Sequence, residues 1–98
     1  MNVARREYKV SITVNGVKIN KVIIDPHFEE KHAESISDAV FLDLVKTLDG
    51  EFHPTQSESP PFKYFVKEAV LLDEKHYRLV WLLEEHQIYV GVINAFRR

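Results

Sequence analysis

The sequence predicts an α+β domain in which an N-terminal β-hairpin and two short helices precede a three-stranded antiparallel meander, with the helices on one face of the sheet. Three observations favour this order. Apolar and polar residues alternate on both sides of an Asn-Gly pair, helix start signals follow, and the last third contains three β-type segments separated by short polar turns. The chain has 98 residues, and at about 100–200 residues per domain this predicts a single domain, 1–98. Its expected parts are a basic hairpin (1–24), the helices (25–50), a loop (51–62) and the sheet (63–98).

The hairpin prediction depends on Asn15-Gly16, because both residue types tolerate the positive φ of a type I′ turn. Apolar residues alternate with polar ones before the turn, but the phase slips after it. A two-residue turn would place Val10 opposite Lys21. One extra residue near Asn20-Lys21 would instead place Val10 opposite Val22, so we expect a β-bulge there.

Two helix starts follow the hairpin. Asp25-Pro26 combines an N-cap residue with Pro at the first helical position and predicts a short helix over residues 26–33. Ser37 is the second N-cap, and from Phe41 four apolar residues recur at i, i+3, i+4 and i+7, which is one helical face. Gly50 is expected to close this second helix.

The rest of the chain predicts a loop and three strands. Residues 51–62 are rich in Ser and Pro and form either a solvated linker or a functional loop. Residues 62–71, 77–83 and 88–96 are expected strands, and the apolar run 79–83 is typical of a strand buried on both faces.

Composition excludes several functional classes. The chain has no cysteine, so disulfides, thiol catalysis and cysteine-ligated metals are excluded. Three glycines cannot form a Walker A or a dinucleotide-binding loop, and there is no Gly-x-Ser-x-Gly motif. The longest apolar run has five residues, far from the roughly 20 of a membrane span, and the N-terminus does not read as a signal peptide. A cytoplasmic protein without membrane contact is expected.

The formal net charge is −2, which argues against a generic basic nucleic-acid-binding protein. The charge is unevenly distributed, however. Residues 1–24 carry +4, residues 25–49 carry −5, residues 50–62 carry −2 and residues 63–98 carry +1. A basic hairpin therefore precedes an acidic helical segment, and the decisive question is whether basic residues gather locally.

Histidines are the first candidates for proton transfer, because their unperturbed pKa lies near neutrality. His27 and His32 fall in the first predicted helix. Five residues along a helix is about 140° beyond a full turn, so the two rings do not share a face and a two-histidine metal site is not expected. We expect neither a metal nor a cofactor. His with Arg, Lys, Tyr and Asn suffices for metal-free cleavage of a phosphodiester.

The polar candidates for such a site lie on the predicted sheet and at its ends, and include Lys63, Tyr64, Lys67, Arg78, Asn94, Arg97 and Arg98. Each has a structural alternative. Lys63 and Lys67 fit charged residues that protect an edge strand from aggregation. Arg78 fits a side chain whose stem covers apolar surface. The two terminal arginines fit a solvated chain end.

Several short motifs resemble the RelE/ParE-like toxin superfamily, and most closely its BrnT-type branch and related small uncharacterised domains. They are Asp25-Pro-His-Phe-Glu-Glu-Lys-His, the helix start Ser35-Ile-Ser-Asp-Ala-Val, Tyr77-Arg-Leu-Val-Trp, and Ile88-Tyr-Val-Gly-Val-Ile-Asn-Ala-Phe-Arg-Arg. The resemblance covers residues 25–98 and leaves out the N-terminal hairpin.

The resemblance implies a metal-independent endoribonuclease of a toxin–antitoxin pair, with RNA as substrate and a cognate antitoxin as partner. His27 or His32 would match the first-helix histidine, Arg78 the basic position of the penultimate strand, and Arg97 the basic end of the last strand. The implied catalytic set is therefore His27, His32, Arg78 and Arg97. Lys63, Tyr64, Lys67, Asn94 and Arg98 are the candidate substrate-binding residues.

The alternative is a non-catalytic protein-interaction module on a toxin-like scaffold, stable alone or as a homodimer. The acidic net charge favours it. Such a module would hold its partner through an open sheet edge or the 51–62 loop, with aromatic residues such as Tyr64, Phe65, Trp81 and Tyr89 as anchors wherever they are exposed.

Overall fold

The structure, a computed structural model, describes residues 6–24 and 36–97, with only the backbone of Arg97. These residues form a six-stranded mixed sheet and one short helix. The elements in chain order are β1 (Arg6–Val14), β2 (Val17–Ile24), α1 (Asp38–Lys46), β3 (Ser57–Ser59), β4 (Phe62–Leu72), β5 (Lys75–Glu84) and β6 (Tyr89–Arg97). The strand order in the sheet is β1-β2-β6-β5-β4-β3.

The α+β prediction is wrong, because the described part of the chain is mainly β and contains a single helix. The expected first helix, 26–33, lies outside the described residues. The meander of β4, β5 and β6 is antiparallel as expected, but it is not a separate sheet. Strand β2 pairs with β6 in parallel and so joins the hairpin to the meander. The strands of a parallel pair are joined by a long crossover connection, so the residues that pair are far apart in the sequence. Local periodicity therefore contains no information about this pairing.

The 51–62 segment also departs from the prediction. Residues 57–59 form the short edge strand β3, which pairs with β4 from Phe62 to Tyr64. Three exposed polar residues give no apolar alternation, so the sequence pattern of β3 could not be distinguished from that of a loop.

The hairpin turn is confirmed, and the bulge is on the other strand. Asn15 and Gly16 have φ values of 52° and 77°, as a type I′ turn requires. The register shifts between Lys9 and Ile12, so the extra residue belongs to β1 and Tyr8, not Val10, lies opposite Val22. The prediction placed it on β2 because it was based on the alternation of apolar residues alone.

Helix α1 begins as predicted and ends early. Ser37 is the N-cap, and its hydroxyl accepts a hydrogen bond from the Val40 N–H at 3.3 Å. The last helical residue is Lys46, and Thr47 is the C-cap. Tighter turns follow, because the Leu48 N–H donates to the Val45 carbonyl at 2.9 Å. Gly50, with φ of 79°, lies in the last of these turns, where the Glu51 N–H donates to the Leu48 carbonyl at 3.0 Å, and it does not cap the helix directly.

The helix packs its apolar face onto the sheet. Phe41, Leu44 and Val45 are buried, as the spacing predicted. On the sheet, the indole of Trp81 stacks on the ring of Phe65 with centroids 5.2 Å apart. Both aromatic side chains are almost completely inaccessible to water, so they form the centre of the core.

The parallel pairing of β2 and β6 gives the sheet two distinct ends. We call the end where β2 finishes at Ile24 and β6 finishes at Arg97 the arginine end. The opposite end, with the Asn15-Gly16 turn and the connection from β5 to β6, is the hairpin end. The positions of the candidate site residues are given below relative to these two ends.

The Leu82 side chain lies close to the position that a side chain on Gly91 would occupy. A Cβ atom on Gly91 would lie 2.8 Å from Leu82 Cδ1 and 2.9 Å from Leu82 Cγ. Gly91→Ala should therefore overpack this contact and lower the free energy of unfolding by about 1–3 kcal/mol in urea denaturation. The control is the same change in a Leu82→Ala background, where the clash is absent. An equal cost in both backgrounds would contradict the close-approach argument.

Candidate functional site

Glu51 is the centre of a polar cluster beside the end of α1. Its Oε1 accepts a hydrogen bond from Lys67 Nζ at 2.8 Å and lies 3.0 Å from His53 Nε2. Lys67 Nζ also donates to the Thr47 carbonyl at 3.2 Å. A cation at the C-terminal end of a helix is favourable, so Lys67 links β4 to α1 as well as to Glu51.

His53 in this cluster is held on three sides. The Asn15 side chain donates to the His53 carbonyl at 3.0 Å and accepts from the His53 N–H at 2.7 Å. The imidazole meets the Trp81 ring edge-on at 5.0 Å between centroids. Its side chain is 13% exposed. The Nε2 atom that faces Glu51 is itself buried, so these contacts suit a structural clasp better than proton exchange with solvent.

The segment 49–53 connects two distant parts of the sheet. The Gly50 N–H donates to the Thr13 carbonyl at 2.7 Å, and the Asn15 N–H donates to the Glu51 carbonyl at 3.0 Å, both on β1 or its turn. The Glu51 side chain binds Lys67 on β4, near the other edge of the sheet. The cluster therefore ties the β1 side to the β4 side.

The sequence singled out His27 and His32 and gave His53 no role. The partners of His53 and Glu51 come from the hairpin turn, β4 and β5, and no local pattern unites them. The only local sign of a site near Glu51 and His53 is the abrupt change at Gly50 from a helical apolar pattern to a polar segment.

The pKa of Glu51 lies below its ordinary value. The main cause is the hydrogen bond from Lys67, and the charges of Lys67 and His53 act in the same direction against partial burial. Glu51 is therefore a carboxylate over the whole neutral range and serves as an acceptor.

Lys63 and Tyr64, two of the predicted substrate-binding residues, lie near the hairpin end. Lys63 is exposed on β4 opposite Glu58 of β3, and Tyr64 is half-buried opposite Ser57. Lys67 is farther along β4 in the Glu51 cluster. The structure does not bring these three together with the arginine end.

Asn94 is buried and has a structural partner. Strand β6 contains an extra residue at Ile93, because Asn94 faces Val80 while Val92 faces Trp81. Asn94 Oδ1 accepts a hydrogen bond from the Ala95 N–H at 2.8 Å. A bulge disrupts the regular ladder, and the Asn94 side chain supplies an acceptor beside it.

Arg78 and the backbone of Arg97 do lie close together, at the arginine end. Arg78 faces Phe96 across β5 and β6, and Tyr77 faces Arg97. Arg78 Nε lies 3.1 Å from Glu68 Oε2, in a pair whose side chains are 41% and 55% exposed. The side chain of Arg97 lies outside the described residues, as do His27, His32 and Arg98.

A second polar cluster, which the sequence did not predict, anchors the start of α1 at the same end. Arg6 binds Asp38 with two hydrogen bonds of 2.6 Å and 2.9 Å, and the Tyr8 hydroxyl also donates to Asp38. The Arg6 hydrogen bonds hold the pKa of Asp38 below its usual value, and the bond to Asp38 raises the pKa of Tyr8. Since Arg6 pairs with Ile24, both flanks of segment 25–35 lie at the arginine end.

Within residues 6–24 and 36–97, no group of three or more His, Asp or Glu side chains is arranged to hold a metal ion. The same residues contain no helix that is long and apolar enough to cross a membrane. No family model, curated protein or solved structure matches this chain.

Asn15→Gly tests the clasp on His53. Glycine keeps the positive φ of the turn but removes both side-chain hydrogen bonds, so the free energy of unfolding should fall by about 1–3 kcal/mol. Asp73→Gly is the matched control, because Asp73 also has positive φ, at 51°, in an exposed turn. The change in its free energy of unfolding reports only the effect of the greater backbone flexibility of glycine. Equal losses for the two variants in urea denaturation would contradict a stabilising clasp.

The Glu51 carboxylate makes a pH-dependent contribution to stability. Its folded-state pKa is lowered, so the contribution is present above the ordinary value of 4.5 and disappears as pH falls through the folded pKa. Glu51→Gln should lower the urea midpoint near neutral pH, and this deficit should shrink as the pH falls below 4.5. Glu58→Gln, at an exposed position of β3, is the control. A deficit of Glu51→Gln that does not change with pH would overturn the assignment.

Proposed function

We propose that this domain is a metal-independent endoribonuclease of the toxin type, active in the cytoplasm on RNA and restrained by a cognate antitoxin. The observation that carries the proposal is the parallel pairing of β2 with β6. It directs the chain that follows Ile24 to the end of the sheet that holds Arg78 and the backbone of Arg97. His27 follows Ile24 by three residues, which reach at most about 11 Å.

The anchoring of α1 supports the same site. Asp38, the first residue of α1, binds Arg6, and Arg6 pairs with Ile24. Ile24 and Asp38, which flank the segment that contains His27 and His32, therefore both lie at the arginine end. The proposal is that at least one of these histidines joins Arg78 there in a local basic site, on a chain with a net charge of −2.

The proposed chemistry needs only protein side chains. His27 or His32 takes the proton from a ribose 2′-OH, and the 2′-oxygen attacks the adjacent phosphorus. Arg78 stabilises the negative charge that develops on the phosphorane, and Arg97 and Arg98 bind the flanking phosphates. Water supplies the proton for the departing 5′-oxygen, and the hydroxide that remains takes up the proton from the imidazolium.

The contact between Arg78 and Glu68 is compatible with this role. Both side chains are well exposed, and an ion pair of this kind contributes at most about 1 kcal/mol. A phosphate can therefore replace Glu68 as the partner of Arg78. Lys67 and Asn94 have structural partners, so the proposed site relies on the histidines and arginines.

The test is cleavage of a labelled single-stranded RNA in the presence of EDTA. The parent protein should cleave it, and either His27→Ala or His32→Ala should reduce the rate by at least about a hundredfold, as loss of a general acid or base does. Arg78→Ala should reduce the rate strongly as well.

Two variants serve as matched controls. Glu68→Ala breaks the same ion pair as Arg78→Ala but keeps the guanidinium, so its activity should remain close to that of the parent. His86→Ala removes an exposed histidine at the hairpin end and should have no effect. No cleavage by the parent, or full activity in all three alanine variants of the site, would refute the nuclease.

A non-catalytic protein-interaction module is the second candidate. It is favoured by the engagement of Lys67 and Asn94 in structural hydrogen bonds, which leaves fewer free polar groups for catalysis. An inactive parent that forms a stoichiometric complex with a partner or with itself, as measured by light scattering, would support this function over the nuclease.

A further inference from the structure

A concave surface lies at the hairpin end of the sheet, opposite the proposed nuclease site. It encloses a cavity of about 450 Å³, within the usual size range of ligand-binding clefts. We call it the hairpin-end groove. Its lining comes from the start of β2, from β4, and from the end of β5 with its connection to β6, and consists of Val17, Lys63, Leu83, Glu84, Glu85, His86, Gln87 and Ile88.

The walls of the hairpin-end groove are fixed by backbone hydrogen bonds from both sides. The Glu85 N–H donates to the Pro61 carbonyl at 2.8 Å, and the Asn20 N–H donates to the Ile88 carbonyl at 3.0 Å. The β5–β6 connection is therefore tied to the β3–β4 turn and to β2. A preformed groove loses little conformational entropy when a ligand binds.

The groove exposes apolar side chains to water. Ile88 is 51% exposed and Val17 is 38% exposed, and the half-buried Leu83 lies with them in the lining. A ligand that covers apolar side chains grouped around a concavity makes the free energy of binding more favourable, by about 25 cal/mol per Å² of apolar area buried.

The charges of the groove favour a cationic ligand. Glu84 and Glu85 belong to the lining, and Glu84 is oriented by the hydrogen bond that its Oε1 accepts from the Tyr89 hydroxyl at 2.6 Å. A smaller cavity of about 50 Å³ adjoins the groove through Lys63 and Glu85 and adds Glu58. The two linings together contain three carboxylates and one lysine.

We propose that the hairpin-end groove binds a basic amphipathic segment of a partner protein. One large apolar side chain of that segment packs between Val17 and Ile88, and an adjacent Lys or Arg pairs with Glu85. The proposal does not depend on the nuclease, because the two sites are at opposite ends of the sheet. Each can therefore fail without the other.

The probe is a short fluorescein-labelled peptide of alternating Leu and Lys, and binding to the full chain is followed by fluorescence anisotropy. Saturable binding is expected, whereas peptides of alternating Leu and Glu or alternating Ser and Lys should bind much more weakly. Ile88→Ser and Glu85→Gln should each weaken binding about tenfold. Lys63→Gln should tighten it, because it removes the one ammonium of the lining.

Two matched variants lie at the other end of the sheet. Leu71→Ser removes an apolar side chain that is 62% exposed on β4, and Glu74→Gln removes an exposed carboxylate in the β4–β5 turn. Both should bind the Leu–Lys peptide like the parent. No saturable binding, equal losses in these controls, or stronger binding of the Leu–Glu peptide would overturn the proposal.

Discussion

The parallel pairing of β2 with β6 is the constraint on which the rest of the structure depends. It turns a hairpin and a meander into one six-stranded sheet and places β2 beside β6 instead of at an edge. Because the two strands run in the same direction, Ile24 and Arg97 both come to the arginine end, and the Asn15-Gly16 turn and the β5–β6 connection come to the other end. The two proposed surfaces lie at these two ends.

Polar side chains hold helix α1 and the chain that follows it against the sheet. Asp38 receives two bonds from Arg6 and so fixes the start of α1 near β1. Glu51, held by Lys67, fixes the chain after α1 to β4. Both carboxylates have lowered pKa values because they accept hydrogen bonds from cations. The helix is thus clamped at both ends by charge-assisted hydrogen bonds, which are stronger than neutral ones.

The net charge of −2 proves to be a poor guide to any single surface. The described arginines at the arginine end pair with Asp38 and Glu68, whereas the hairpin-end groove combines Glu84 and Glu85 with Lys63. Each of the two proposed surfaces therefore has its own combination of charges. The net charge is a sum over the whole chain and does not describe the charge of either surface.

The sequence by itself determined the local elements: the type I′ turn at Asn15-Gly16, the Ser37 cap, the buried face of α1 and the antiparallel meander. Each depends on neighbours within a few residues, where sterics and periodicity decide. Only the tertiary structure decided the parallel β2–β6 pair, the side of the β-bulge, strand β3 and the contacts of His53. These depend on residues far apart in the chain, and their energies arise only when the chain has folded.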